Sequence, residues 1–162
     1  AVCGGDAMVR AVAHRLSPAH RIPGHVIGGR AAHRRLVCAH APAVRCVDAG
    51  VAILWLERRV RVSKEGKPSK TEWVVAERFK NATLVHASPL SGRTHQIRVH
   101  GLSIGHPLLG DDKYGHTTEY AGPQARRLCL HAMRLDIPGY PPIEAPLPED
   151  MTQLLKALRV AK

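Results

Sequence analysis

The first 50 residues of this 162-residue chain contain no Lys and no Glu, although both rank among the commonest residues of folded proteins. That absence sets the segment apart from ordinary globular usage. Cysteines are few, and Cys3, Cys38, Cys46 and Cys129 show no close pairing, so a disulfide-stapled miniprotein is excluded. Long apolar runs are missing as well. The longest, Ala49 to Leu56, has eight residues and includes Gly50, whereas a bilayer span needs roughly 18. Neither an initial Met nor the basic-then-apolar pattern of a signal peptide is present, and the chain reads as a fragment of a soluble, cytoplasmic protein. Acids are outnumbered, with 13 Asp and Glu against 24 Lys and Arg, a formal charge of +11. An excess of that size selects a polyanionic partner, nucleic acid foremost. The remaining usage, 44% hydrophobic and 23% charged, excludes global disorder and allows one packed core.

What is present divides the chain in two. Residues 1–50 hold 11 Ala, 7 Arg, 7 Val and 5 His, the first Glu is Glu57 and the first Lys is Lys64. We therefore expect residues 1–56 to be a degenerate or out-of-frame-like region, poorly ordered or foreign to the family of the rest, and residues 57–162 to be the folded part. Alternate-frame reading of GC-rich DNA would yield this bias toward Ala, Arg, His, Pro and Val. In the second part Thr71–Phe79 and Thr83–Ala87 are rich in β-formers around a Lys80-Asn81 break, which predicts a hairpin. Thr94 stands where an N-cap would start a helix running to Ile104, with Gly105 as its stop. On that helix Ile97, Gly101 and Ile104 share one face, and His95, Arg98 and Leu102 share the next. Leu128–Ile137 reads as a strand. Asp150 reads as the cap of a final helix packed through Met151, Leu154, Leu155 and Leu158. Strands and helices without βαβ alternation predict an α+β fold, a mixed, mainly antiparallel sheet flanked by helices. Alone, the strands of the second part would leave an unpaired sheet edge.

Chemistry-bearing residues crowd into Ser88–Gly115, where Arg93, His95, Gln96, Arg98, His100, His106, Asp111, Asp112, Lys113 and Tyr114 lie among glycines. Two guanidiniums of this kind can grip phosphates or a carboxylate in forked geometry, and Lys113 adds a point charge. Gly92-Arg93-Thr94-His95-Gln96-Ile97-Arg98-Val99-His100, Gly105-His106-Pro107, Gly110-Asp111 and Tyr114-Gly115 resemble the C-terminal motif of the RNA pseudouridine synthases of the RluA/RluC/RluD type. Val62–Glu77 and Leu130-His131-Ala132 are similar to the same family, so the resemblance spans about residues 60–162. It implies isomerisation of uridine to pseudouridine in structured RNA, with large-subunit ribosomal RNA as the expected partner. No metal, no organic cofactor, no membrane and no obligate protein partner are implied. The family's aspartate attacks a nucleotide flipped out of its stack. Arg98 matches the basic residue that pairs with that aspartate, and Ile97 matches the apolar wall beside it. Arg93, His95, Gln96, His100 and Lys113 are the expected RNA contacts.

One departure bears directly on activity. The family's nucleophile lies in a segment of the form His-Arg-Leu-Asp-x-x-Thr-Ser-Gly, and no such segment occurs here. The nearest string is His14-Arg15-Leu16-Ser17, where Ser17 stands in the place of Asp. A hydroxyl does not replace a carboxylate unless a base activates it. Two expectations follow: a pseudouridine synthase lacking its aspartate, or a non-catalytic RNA-binding remnant. Asp6 and Asp48 have no motif around them, and Asp111 and Asp112 match a structural or RNA-positioning loop. A metal site built on Cys3, Cys38, His40 and Cys46 lacks paired spacing, and His95 and His100, five apart, stand about 140° around a helix axis.

Overall fold

The computed structural model describes residues 6–14, 44–48, 51–54, 59–115 and 120–161. Alternation of apolar and polar residues in Lys70–Arg78 (β5) and Ala82–Pro89 (β6) produces the expected hairpin, in register from Thr71 opposite Pro89 to Arg78 opposite Thr83. A bulge between Val75 and Glu77 changes which side chains face which side. Asp6–His14 (β1) pairs with the other edge of β6, and Leu130–Asp136 (β7) pairs with β1. Val44–Asp48 (β2) lies outside β5, and Ile143–Glu144 (β8) outside β7. The order is β2-β5-β6-β1-β7-β8, and each pairing among these described strands is antiparallel. Val51–Leu54 (β3) and Arg59–Val62 (β4) form a separate ribbon. The α+β fold expected from the sequence is present, its described pairings antiparallel rather than mixed.

A helix covers each face of the sheet. On β6, Val85 and Ala87 face one side with Ala11, Trp73 and Leu108, and Ile97 of helix Gln96–Ser103 (α1) and Ile104 at its C-cap pack against them. Ala82 and Leu84 face the other side with Val12, Leu109 and Cys129, beneath Met151, Leu154, Leu155 and Leu158 of helix Glu149–Val160 (α2). The apolar face expected for α2 is the one buried, but its cap is Pro148. Asp150 sits in the first turn and is ion-paired with Arg127 instead.

β1 lies before the change in composition near residue 57. It occupies the centre of the sheet, and its adjacent residues Ala11 and Val12 are both fully buried, as befits a strand covered on both faces. It also anchors the segment after α1: Leu109 N–H donates to the Val12 carbonyl at 2.8 Å, Cys129 N–H to the Leu109 carbonyl at 2.9 Å, and Val12 N–H to the Cys129 carbonyl at 3.2 Å. No helix among the described residues is long and apolar enough to cross a membrane.

Candidate functional site

α1 starts one residue later than a Thr94 cap suggested: the N-cap is His95 and the helix begins at Gln96. His95 adopts a left-handed conformation at φ 54° without a side-chain cap bond and precedes Gln96, whose side chain folds back onto the preceding turn. Gln96 Oε1 accepts the Arg93 N–H at 3.1 Å and the Ser91 hydroxyl at 2.8 Å. A left-handed, non-glycine residue is uncommon and costs energy, so the surrounding bonds hold His95 there. The helix stops at Gly105, as expected, with φ +79°.

Arg98 is not left without an acid. Its Nε donates to Asp111 Oδ2 at 2.9 Å and its Nη2 to Oδ1 at 2.6 Å, the forked geometry that guanidinium and carboxylate favour. Asp111 Oδ1 also accepts the N–H groups of Lys113 at 3.1 Å and Tyr114 at 2.9 Å. Burial by itself raises the Asp111 carboxyl, but the Arg98 bonds and the two backbone donors outweigh it and hold it below the ordinary carboxylate range. Its side chain is 0% exposed, against 14% for Arg98. A carboxylate in that position shapes the turn and cannot meet a substrate without breaking it. Asp112 is different: 95% exposed, with Oδ1 3.5 Å from Arg98 Nη2.

Tyr114 joins these groups. The Arg98 guanidinium lies over its ring, 4.9 Å from the centroid, with the Lys113 ammonium at 5.9 Å. Its hydroxyl accepts the Val60 N–H of β4 at 3.0 Å and is 2.8 Å from His95 Nδ1. Burial lowers the His95 pKa from its ordinary value, and the charges of Arg98 and Lys113 lower it further. The imidazole is therefore neutral at pH 7. Arg98, His95 and Lys113, separate positions in the sequence, converge around one phenol.

The other expected contacts are placed differently. Arg93 is exposed beside the N-terminus of α1, and its Nε donates to the Pro68 carbonyl at 3.4 Å. Gln96 and His100, expected as RNA contacts, are both buried and bonded within the protein. His100 is fully buried, its Nε2 3.1 Å from the Ser69 hydroxyl and its Nδ1 2.9 Å from the Thr71 hydroxyl. Gln96 Nε2 donates to the Lys70 carbonyl at 2.8 Å and to Thr71 Oγ1 at 2.9 Å. Ile97 is partly buried against the Trp73 and Leu108 cluster. Ser17 lies outside the described residues, as do Cys3, Cys38 and His40. Among the described residues no group of three or more His, Cys, Asp and Glu is arranged to hold a metal ion. Sequence reading missed Asp111 as the Arg98 partner and Tyr114 as the hub. Both lie inside the motif, but a separation of 13 residues across a turn carries no periodic signal that would join them.

No protein-family model matches the chain. It is 50% identical over 111 residues to the ribosomal large subunit pseudouridine synthase C of Yersinia pestis, a match covering 64% of this chain and 35% of that protein. It is 50% identical over 117 residues to pseudouridine synthase C of Escherichia coli K12, covering 65% and 36%. It is 48% identical over 111 residues to pseudouridine synthase D of Nitrosomonas europaea, covering 62% and 32%. The chain thus spans about a third of the length of these curated relatives. In three dimensions it is similar to the human RNA pseudouridylate synthase domain containing 1 protein, with a TM-score of 0.61 and 24% identity over 96% of this chain and 66% of the other. The corresponding human protein 4 gives a TM-score of 0.59 at 19% identity, covering 96% and 62%.

Proposed function

We propose, from a segment that is homologous to the large-subunit pseudouridine synthases C and D, that residues 57–162 are the latter part of a catalytic domain whose reaction is isomerisation of uridine to pseudouridine in structured RNA. Large-subunit ribosomal RNA is the proposed substrate class. The observation that carries this reading is the guanidinium of Arg98, held in place by Asp111 and Tyr114 on a helix whose sequence matches the family motif. A guanidinium there stabilises an ionised carboxylate and the phosphate-rich strand on which a flipped nucleotide sits. Arg93, His95 and Lys113 are the proposed RNA contacts, with the neutral His95 ring offering a hydrogen bond rather than a charge. Metal and organic cofactors have no assigned place in this reaction, and the protein is proposed to work in the cytoplasm.

A second reading, RNA held without turnover, is favoured by one specific observation. The carboxylate lodged against Arg98 is buried and saturated by four N–H donors, and the sequence contains no His-Arg-Leu-Asp segment to supply another. The two readings separate in one experiment: incubation with unmodified large-subunit ribosomal RNA, followed by mapping of pseudouridine and measurement of RNA retention. Conversion at a defined uridine sustains the isomerase and rejects the passive binder. Retention that weakens steeply with salt, without conversion, sustains the second reading. No retention at low salt rejects both.

A further inference from the structure

Gln96 and His100 do not face the solvent, and what they hold instead is the turn between β4 and β5. Within that turn Gly66 N–H donates to the Ser63 carbonyl at 3.1 Å and Glu65 N–H to the Ser63 hydroxyl at 3.3 Å, a tight, self-bonded bend. Its far side is fastened to α1 and to the segment just before it. The Ser69 and Thr71 hydroxyls flank the His100 ring, the Lys70 carbonyl accepts from Gln96 Nε2 and from Leu90 N–H at 2.9 Å, and the Lys70 N–H donates to Ser91 Oγ at 3.2 Å. Arg93 closes the junction by donating to the Pro68 carbonyl. An exposed turn is thus tied to the candidate site by buried polar groups.

The turn carries Lys64 and Lys67, both exposed, next to exposed Arg93, with Glu65 the single acid among them. Among the described residues none of these three cations makes an ion pair. By contrast Arg127, Arg134 and Arg159, elsewhere on the molecule, are neutralised by Asp150, by Asp136 and Glu144, and by Glu77. Exposed cations on a fastened turn beside a site, without an ion pair among the described residues, are available to an anionic ligand. Ammonium groups suit a phosphate as point charges, and a guanidinium adds a fork.

We propose that the Lys64–Lys70 turn is a phosphate-contacting arm, continuous with Arg93, that grips the RNA backbone beside the Arg98 site. Gln96 and His100 are the positioning residues that hold it. The inference rests on the reading that the ligand is RNA, and it adds where the backbone lies. Lys64 and Lys67 each take one phosphate.

The test uses the full chain and a short RNA stem-loop with uridines in the loop, with affinity measured from 50 to 200 mM salt. Replacing both residues, K64A with K67A, is expected to reduce the slope of log affinity against log salt by about 1.4–1.8, one phosphate contact per lysine. Across that salt range the affinity of the unaltered chain then falls about 7–12-fold more than that of the double variant. K64R with K67R keeps the slope of the unaltered chain, and K156A, an exposed lysine on α2, leaves it unchanged. A double alanine variant with an unaltered slope overturns the arm and leaves the RNA reading standing. An equal loss of slope in K156A overturns it too, because the contact is then not local. Failure of the unaltered chain to bind the stem-loop overturns the arm and the RNA reading together.

Discussion

Arg98 and Asp111 illustrate how one pair can be both a framework and a constraint on chemistry. The pair is largely out of water, and removing one partner of such a pair leaves an uncompensated charge at a cost of about 3–5 kcal/mol. Asp111→Ala is expected to lose that much stability in urea denaturation. The pH dependence has a definite sign. Because the folded-state carboxyl titrates below its unfolded value, the stabilisation is complete above the ordinary carboxylate range and is lost as the pH falls through the depressed folded value. The alanine variant lacks that component of the acid limb. His95 gives a second residue-scale test. Burial and two neighbouring cations lower its pKa while Asp111 raises it, so in an NMR titration the ring is expected to stay neutral to below its ordinary value near 6.5. In Asp111→Asn it is expected to titrate lower still, and a rise would refute this account of its surroundings.

At the scale of elements, the segment from Pro107 to Tyr114 is held by both backbone and glycine geometry. Leu109 bonds to β1 and to Cys129, and Gly110 follows at φ +70°, where a Cβ would collide with the backbone carbonyl of Arg127. Gly110→Ala is expected to lose about 2–5 kcal/mol, combining left-handed strain with overpacking, and to lower the melting temperature accordingly. A melting temperature equal to that of the unaltered chain would show that the segment tolerates a shift. The β5–β6 hairpin and the buried face of α2 were legible in the sequence because each rests on a local period, two for strands and 3.6 for helices. The start of α1 was not. Thr94 is a good cap by composition, but the tertiary bonds of Gln96 to Ser91, Lys70 and Thr71 moved the cap inward and left Thr94 exposed.

For the whole molecule, the position of β1 decides what can fold. Its neighbours β6 and β7 both pair with it, so a chain starting at residue 57 would present two open edges at the centre of the sheet. Such a truncation is expected to lose the cooperative thermal transition seen by circular dichroism in the full chain. Retention of that transition would mean that β6 and β7 can close on each other and that the composition break is also a folding boundary. The same strand, through Val12 and Leu109, supports the loop that brings Asp111 to Arg98, so loss of the sheet centre is expected to disturb the Arg98–Asp111 pair, and with it the proposed RNA contacts, as well.

Residue order alone determined the hairpin, the apolar face of α2, the basic character of the chain and the motif that marks it as pseudouridine-synthase-like, because these are local in sequence or additive in charge. Tertiary structure decided which acid meets Arg98, that Gln96 and His100 turn inward, and that β1 fills the middle of the sheet. Those outcomes depend on groups far apart in the chain competing for the same buried partners, and that competition is settled only when the whole fold closes.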